Sequence, residues 1–197
     1  MEWSEYNGWE NKFTWLVHLH LSSEQGMMQA MVDLVARTVD DVIAGRDVER
    51  WLQTAVNGWV TGSPHRDTSS DAYIRLLAWD VVGVALAYTD WDTLVKLLLG
   101  QRIRCDNPFT WVLHTSATTV AEFQLPVQSV LQTASSLYAG ADALHECFRE
   151  GVDEWFNTPL PHRQQSPAVW MLVHNLIQNV YGVVVWEHVA RAFRPGY

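Results

Sequence analysis

Residues Asn11 to His18 read NKFTWLVH, and residues Asn107 to His114 read NPFTWVLH. Five of eight positions agree across a separation of 96 residues, and two of the five are the uncommon Trp and His. The likeness continues at the same offset. DVERWLQTAVNGWV (Asp47–Val60) lies over ALHECFREGVDEWF (Ala143–Phe156), with Val48 over Leu144, Leu52 over Phe148, Val56 over Val152 and Trp59 over Trp155. One residue shorter, at 95, IRLLAWDVVGVALAYTDWDTLV (Ile74–Val95) lies over VWMLVHNLIQNVYGVVVWEHVA (Val169–Ala190). There Leu77 meets Leu172, Trp91 meets Trp186 and Leu94 meets Val189. The slip falls between TGSPHRDTS and NTPLPHRQQS, two Pro-containing segments that read as loops, where a length change is cheapest. The chain therefore reads as a tandem duplication of about 95 residues per copy, divided as 1–100 and 101–197.

Each copy reads as all-α. Asn107-Pro108 joins a strong N-cap to the residue best suited to the first helical position, and Asn11 is its equivalent. A second helix is expected from a capping box at Ser22 with Gln25 to a stop at Gly45. Its apolar stripe would be Met27, Met31, Leu34, Val35, Val39 and Val42. A third starts near Asp47 and carries Val48, Trp51, Leu52, Ala55, Val56 and Trp59. A fourth runs from Ser69–Asp71 to about Tyr88, and Asp90 caps a short fifth that ends at Gly100. Copy two follows this order with one misfit: Pro126 stands where copy one has Ala30, so its second helix should begin later or kink. The β-branched stretch after His114 also weakens the case for helix there.

Eleven Trp in 197 residues, with only 18% charged residues, imply an aromatic core or exposed aromatic anchors. Trp15, Trp111, Trp59, Trp155, Trp91 and Trp186 recur between copies and are the expected core anchors. Two copies of this size can bury an apolar face against each other as a homodimer would, giving one body with a pseudo-two-fold axis. Trp3 and Trp9 precede only copy one, an unduplicated arm that either caps the core or docks a partner.

The net charge of −9 and the absence of any Lys/Arg-rich stretch disfavour direct nucleic-acid binding. Copy one carries 14 acidic and 7 basic residues against 8 and 6 in copy two, so an acidic binding face would centre on Asp40, Asp41, Asp47 and Glu49. No charged start followed by an apolar run marks a signal peptide, and no apolar stretch is long enough to span a bilayer. With Cys105 and Cys147 unclustered, a soluble cytoplasmic protein with free thiols is expected.

Catalytic chemistry finds little purchase. Thr14 with His18, and Thr110 with His114, lie four apart on one helical face, so a hydroxyl and an imidazole could meet. No third orienting group can be placed beside them. His18 and His20 are two apart and point to different faces, and the remaining histidines have no metal-binding spacing, so neither a metal nor a cofactor is expected.

The opening pattern Asn-x-x-Thr-Trp-x-Val-x-Leu, carried by Asn11, Thr14, Trp15, Val17 and Leu19, resembles a family of small phage and mobile-element proteins. LLAWDVVGVALAYTDWDTLVKLL resembles that family's closing segment, an Ala-rich helix leading into an Asp-Trp helix. Copy two departs at Val185, which precedes Trp186 where Asp90 precedes Trp91. The resemblance supplies no catalytic residues. It implies an accessory protein of an infected host cell. From it come three expectations: a non-enzymatic inhibitor of a host defence or nucleic-acid-processing protein, anti-CRISPR-like in role; a self-assembling module, such as a homodimer; and, least supported, a hydrolase using His18 or His114.

Overall fold

The computed structural model describes residues 5–61, 68–157 and 167–194, and these are all-α. Its helices are α1 (Lys12–Ser23), α2 (Gln25–Val35), α3 (Asp41–Thr61), α4 (Thr68–Ala87), α5 (Trp91–Leu98), α6 (Pro108–Thr119), α7 (Ala121–Thr133), α8 (Leu137–Asn157), α9 (Pro167–Tyr181) and α10 (Trp186–Ala192). Asn11, Asn107 and Asp90 cap α1, α6 and α5 through their side chains, as expected. Each satisfies amides that the first helical turn leaves without a partner.

The helices form two compact units, one joining the two ends of the sequence and the other its middle. Of the described residues, one holds those of 5–81 with 180–194, and the other those of 82–179. In the first, α10 packs on α3, α1 and α2. Phe13, Val17, Leu21, Met31, Val48, Leu52, Val189 and Ala190 are among its buried residues. In the second, α5 packs on α8 and α6, with Leu94, Phe109, Leu113, Leu144, Phe148 and Phe156 buried. The short helices α5 and α10 thus lie in the units of residues 82–179 and of residues 5–81 with 180–194 respectively.

Several boundaries differ from expectation. The second helix stops at Val35 rather than Gly45, because a tight turn follows and Asp40 accepts from the amides of Val42 and Ile43 to start α3 afresh. Val39 and Val42 consequently leave the apolar stripe: Val39 is 96% exposed and Val42 is 48% exposed. The cap of α2 is Glu24, which accepts from Met27, whereas the hydroxyls of Ser22 and Ser23 donate back to Leu19. Gly45 is not a stop. It lies inside α3, where a Cβ would sit 2.7 Å from the backbone of Trp186 and Glu187. In copy two, α6 continues to Thr119, and Pro126 lies inside α7, denying the Glu122 carbonyl its usual helical donor.

Candidate functional site

The repeated Asn-x-x-Thr motif builds the same polar node in both units. In the first unit, Asn11 Oδ1 accepts from the Thr14 amide at 2.9 Å, while Asn11 Nδ2 donates to the Val183 carbonyl at 3.0 Å. Thr14 Oγ1 accepts the Val185 amide at 3.0 Å and donates to Asn11 Oδ1. In the second unit, Asn107 Oδ1 accepts from Phe109 and Thr110, and Asn107 Nδ2 donates to the Tyr88 carbonyl. Thr110 Oγ1 accepts the Asp90 amide at 2.8 Å. Even the following Trp agrees: Trp186 Nε1 donates to Tyr181 and Trp91 Nε1 to Leu86. Asn11, Thr14, Asn107 and Thr110 are all buried, so these bonds satisfy backbone groups in the turns before α10 and α5 that would otherwise lack partners.

These bonds engage the hydroxyls of both Thr–His pairs, Thr14 with the Val185 amide and Asn11 Oδ1, and Thr110 with the Asp90 backbone. His18 instead stacks on Trp9 with ring centroids 4.5 Å apart and lies 5.3 Å from the Phe193 ring. Burial holds its pKa below the ordinary imidazole value, and the same is true of His114, which stacks on Trp111. His20 points elsewhere and meets Asp80 at 2.7 Å, the divergence that a two-residue helical step requires. Burial is the main cause raising the thiol pKa values of Cys105 and Cys147, which disfavours the thiolate nucleophile at neutral pH. Among the described residues, no three His, Cys, Asp or Glu side chains come together in a way that could hold a metal ion.

The expected Trp anchors divide. Trp59 and Trp155 are buried, and Trp15, Trp91 and Trp186 are half-buried. Trp111 is not a core anchor, being 54% exposed. Phe109, Thr110 and Leu113 occupy the inward face of α6, and the helical step turns Trp111 away from it. Its counterpart Trp15 is covered by Tyr6 of the N-terminal arm, at 5.0 Å between ring centroids. Trp9 is described and lies on His18; Trp3 lies outside the described residues.

The acidic run is not an unopposed negative face. Asp41 is paired with Arg191 at 2.8 Å and Arg194 at 2.6 Å, and hydrogen bonds from both guanidiniums hold its carboxyl below the usual carboxylate range. Asp40 caps α3, Asp47 meets Arg50, and Glu49 accepts from Gln53. A cleft of about 330 Å³ beside this run is lined by Leu34, Arg37, Asp47, Arg50, Trp51 and Thr54. Around the start of α3 the apolar Val39, Val42 and Ile43 stand in solvent beside the exposed Asp40 and Arg46.

A second cleft, of about 410 Å³, is lined by Gly8, Trp9, His18, His188, Arg191 and Ala192. Its outer wall is the N-terminal arm, folded back by paired backbone bonds between Tyr6 and Trp9. Asn7 (φ 50°) and Gly8 (φ 79°) adopt left-handed backbone to make that turn. Lys12 sits over the Tyr6 ring, and Glu10 lies 3.5 Å from His188. Gly8, Glu10 and His188 carry no signal in the sequence, and Arg191 with Arg194 reads there only as a basic pair, not a patch. They come together from positions about 180 residues apart, and the arm has no counterpart in copy two to draw attention to it.

No protein-family model matches the chain, and no solved structure matches it. A stretch of 86 residues is 31% identical to the probable peptidoglycan glycosyltransferase FtsW of Escherichia coli O6:H1, and to the same degree to that of E. coli O157:H7. The match covers 43% of this chain and 20% of each relative, so the chain spans about a fifth of the length of the curated relatives it matches. Among the described residues no single helix is long and apolar enough to cross a membrane. The likeness is confined to that partial stretch and does not by itself place the chain in a family.

Proposed function

We propose that this protein is a non-enzymatic, phage-type accessory protein that binds and inhibits a host protein, within a defence or nucleic-acid-processing complex of the host cytoplasm. The observation that carries this reading is the surface at the start of α3. Val42 and Ile43 in the first turn of a capped helix, with Val39 just before it, stand in solvent flanked by Asp40 and the exposed Arg46. Apolar side chains held on a rigid element and ringed by charge have the make-up of a protein-docking surface. The groups that could have supported catalysis are instead engaged: Thr14 and Thr110 hold turns, and both thiols sit in surroundings that oppose ionisation.

The same proposal takes the chain to be two tandem helical repeats of about 95 residues, fused as one pseudo-two-fold body. The matched bonds of Asn11 and Asn107, Thr14 and Thr110, and Trp186 and Trp91 support it, each at an offset of 95 or 96.

The test is capture of host proteins by the tagged full-length chain and by a Val39→Asp, Ile43→Asp variant of unchanged helicity and melting temperature. One host complex retained by the parent and lost by the variant is the expected result. Equal retention by both assigns docking elsewhere and sinks the α3 surface. A second reading, self-assembly, draws on the exposed Trp111 with the exposed Leu125 and Tyr138. It predicts a concentration-dependent oligomer that Trp111→Ala dissolves, with no host partner.

A further inference from the structure

Helices α2 and α7 share an apolar register in the sequence but are seated differently in their units. The buried residues of α2 are Met27, Met31, Leu34 and Val35. The residues 96 positions further on are Phe123, Val127, Val130 and Leu131, all apolar and all in α7. Of these, Val127 alone is buried, and the other three are half-buried. Leu125, just before Pro126, is 76% exposed. A helix of 13 residues thus encloses a single side chain fully.

Little inside α7 makes up for that loose seat. An isolated helix of this length is marginal in water. Pro126 stands in its interior, where it removes one helical hydrogen bond and crowds the Glu122 carbonyl. Val120, its N-cap, has no side chain to accept from the first turn, whereas Glu24 accepts from Met27 at the start of α2. Among the described residues, the polar side-chain tie from α7 to another helix is exposed, from Gln124 Nε2 to the Thr118 carbonyl at 2.9 Å.

Both ends of α7 are built as joints. Val120 and Ala134 are extended, with ψ of 116° and 124°. The neighbouring helices finish and start on their own bonds: Thr118 and Thr119 donate back within α6, and Ser136 Oγ accepts the Ala139 amide at the start of α8. Helix α5 packs on both α6 and α8, which links those two independently of α7.

We propose that α7 is a displaceable strap, which comes off between Val120 and Ala134 while α5, α6 and α8 stay assembled. Elements that open locally are those with few buried apolar contacts and exposed polar ties. Opening uncovers the seat of Phe123 and Val127. Phe148 of α8 lies in that seat, 2% exposed, with its ring 5.4 Å from that of Phe123. Its other ring neighbour, Trp91 of α5 at 6.2 Å, stays in place. The strap therefore controls access to an aromatic, apolar strip on this unit.

The test is hydrogen exchange of the full-length chain, in native buffer and in low denaturant, read by mass spectrometry on peptides from α2, α7 and α8. Amides of α7 should exchange about a hundredfold faster than those of α2 and α8, at a rate that low denaturant barely changes. Pro126→Ala, at an exposed position, should slow α7 at least about tenfold and leave α8 as it was. Val127→Ala should speed α7 about tenfold, again without changing α8. Exchange of α7 as slow as that of α8 in the parent chain overturns the strap. Exchange of α7 and α8 that rises together in Val127→Ala also overturns it, because the two helices would then open as one body. So does an α7 rate that neither substitution alters. If Val127→Ala fails to fold, the parent rates and Pro126→Ala decide.

Discussion

The Thr14 hydroxyl accepts the backbone amide of Val185 at 3.0 Å, across 171 residues of sequence. Its equivalent, Thr110, accepts the amide of Asp90 at 2.8 Å. Both amides belong to the turn that launches a short closing helix, and both Thr side chains are buried. Thr14→Val keeps the shape and removes the acceptor, leaving a buried N–H without a partner. A loss of about 1–3 kcal/mol is expected for each of Thr14→Val and Thr110→Val in chemical denaturation. Gln29→Ala, on the exposed face of α2, should stay within about 0.5 kcal/mol of the parent.

Two helical glycines should respond to alanine with opposite signs. At Gly45 an added Cβ would lie 2.7 Å from backbone atoms of Trp186 and Glu187, which cannot swing aside as a side-chain tip can. Overpacking of this kind costs about 1–3 kcal/mol and outweighs the helix-propensity gain of up to ~1 kcal/mol. At Gly140 the nearest atoms are Ala134 Cβ and the Val95 methyls at 3.5–3.6 Å, ordinary contact distance. Gly140→Ala should therefore raise stability by about 0.5–1 kcal/mol. Thermal melts of the two variants against the parent check both signs.

Stability should fall with acidification in two stages. His18 and His114 are held below the ordinary imidazole value by burial, so in the folded state each prefers to be neutral. The unfolded chain then binds more protons once the pH drops below about 6.5, and stability declines from there down to the folded-state values. Asp41 acts in a lower window. Its carboxyl is held low by Arg191 and Arg194, so its contribution is complete above the unfolded carboxylate range and is lost as pH falls through the folded value. Melting temperatures from pH 8 to pH 3 should show a shoulder that begins near about pH 6.5 and that His18→Gln reduces. A separate acid limb should be smaller in Asp41→Asn, with Glu146, held low by Arg149, supplying part of what remains. A single transition that neither substitution alters would exclude these groups as the cause.

The all-helical class, the caps at Asn11, Asp90 and Asn107, and the importance of the repeated octamer were legible because each rests on local chemistry. A cap is written within three residues of the amides it satisfies, and apolar spacing along a helix is a short-range signal. Boundaries failed where a distant element decided. Gly45 looks like a stop in isolation, but its lack of a side chain serves the close passage of α10. Asp41 reads as one of several solvated acids until Arg191 and Arg194 arrive from 150 residues and more downstream. Trp111 reads as the twin of Trp15, yet only Trp15 has Tyr6 to cover it. The cleft was illegible for the same reason: Trp9 stands out in the sequence, but nothing local joins it to Arg191, which lines the same cleft.

The exchange of closing helices makes a prediction about the covalent chain. The unit of residues 2–81 includes α10 from the far end of the sequence, and the unit of residues 82–179 begins within α4 and includes α5. The connection at Gln101–Arg104 is exposed and non-helical, so a specific protease site placed there should be cut without disturbing either unit. Each fragment would still hold one helix seated in the other fragment's unit, with Thr14–Val185 on one side and Thr110–Asp90 on the other. The two pieces should therefore elute together at the mass of the intact chain, with unchanged helical circular dichroism, and part only in denaturant. Thr14→Val combined with Thr110→Val should lower the denaturant concentration at which the cut pieces separate. Pieces that part in native buffer, each retaining its helicity, would show that the closing helices are not what completes the two units.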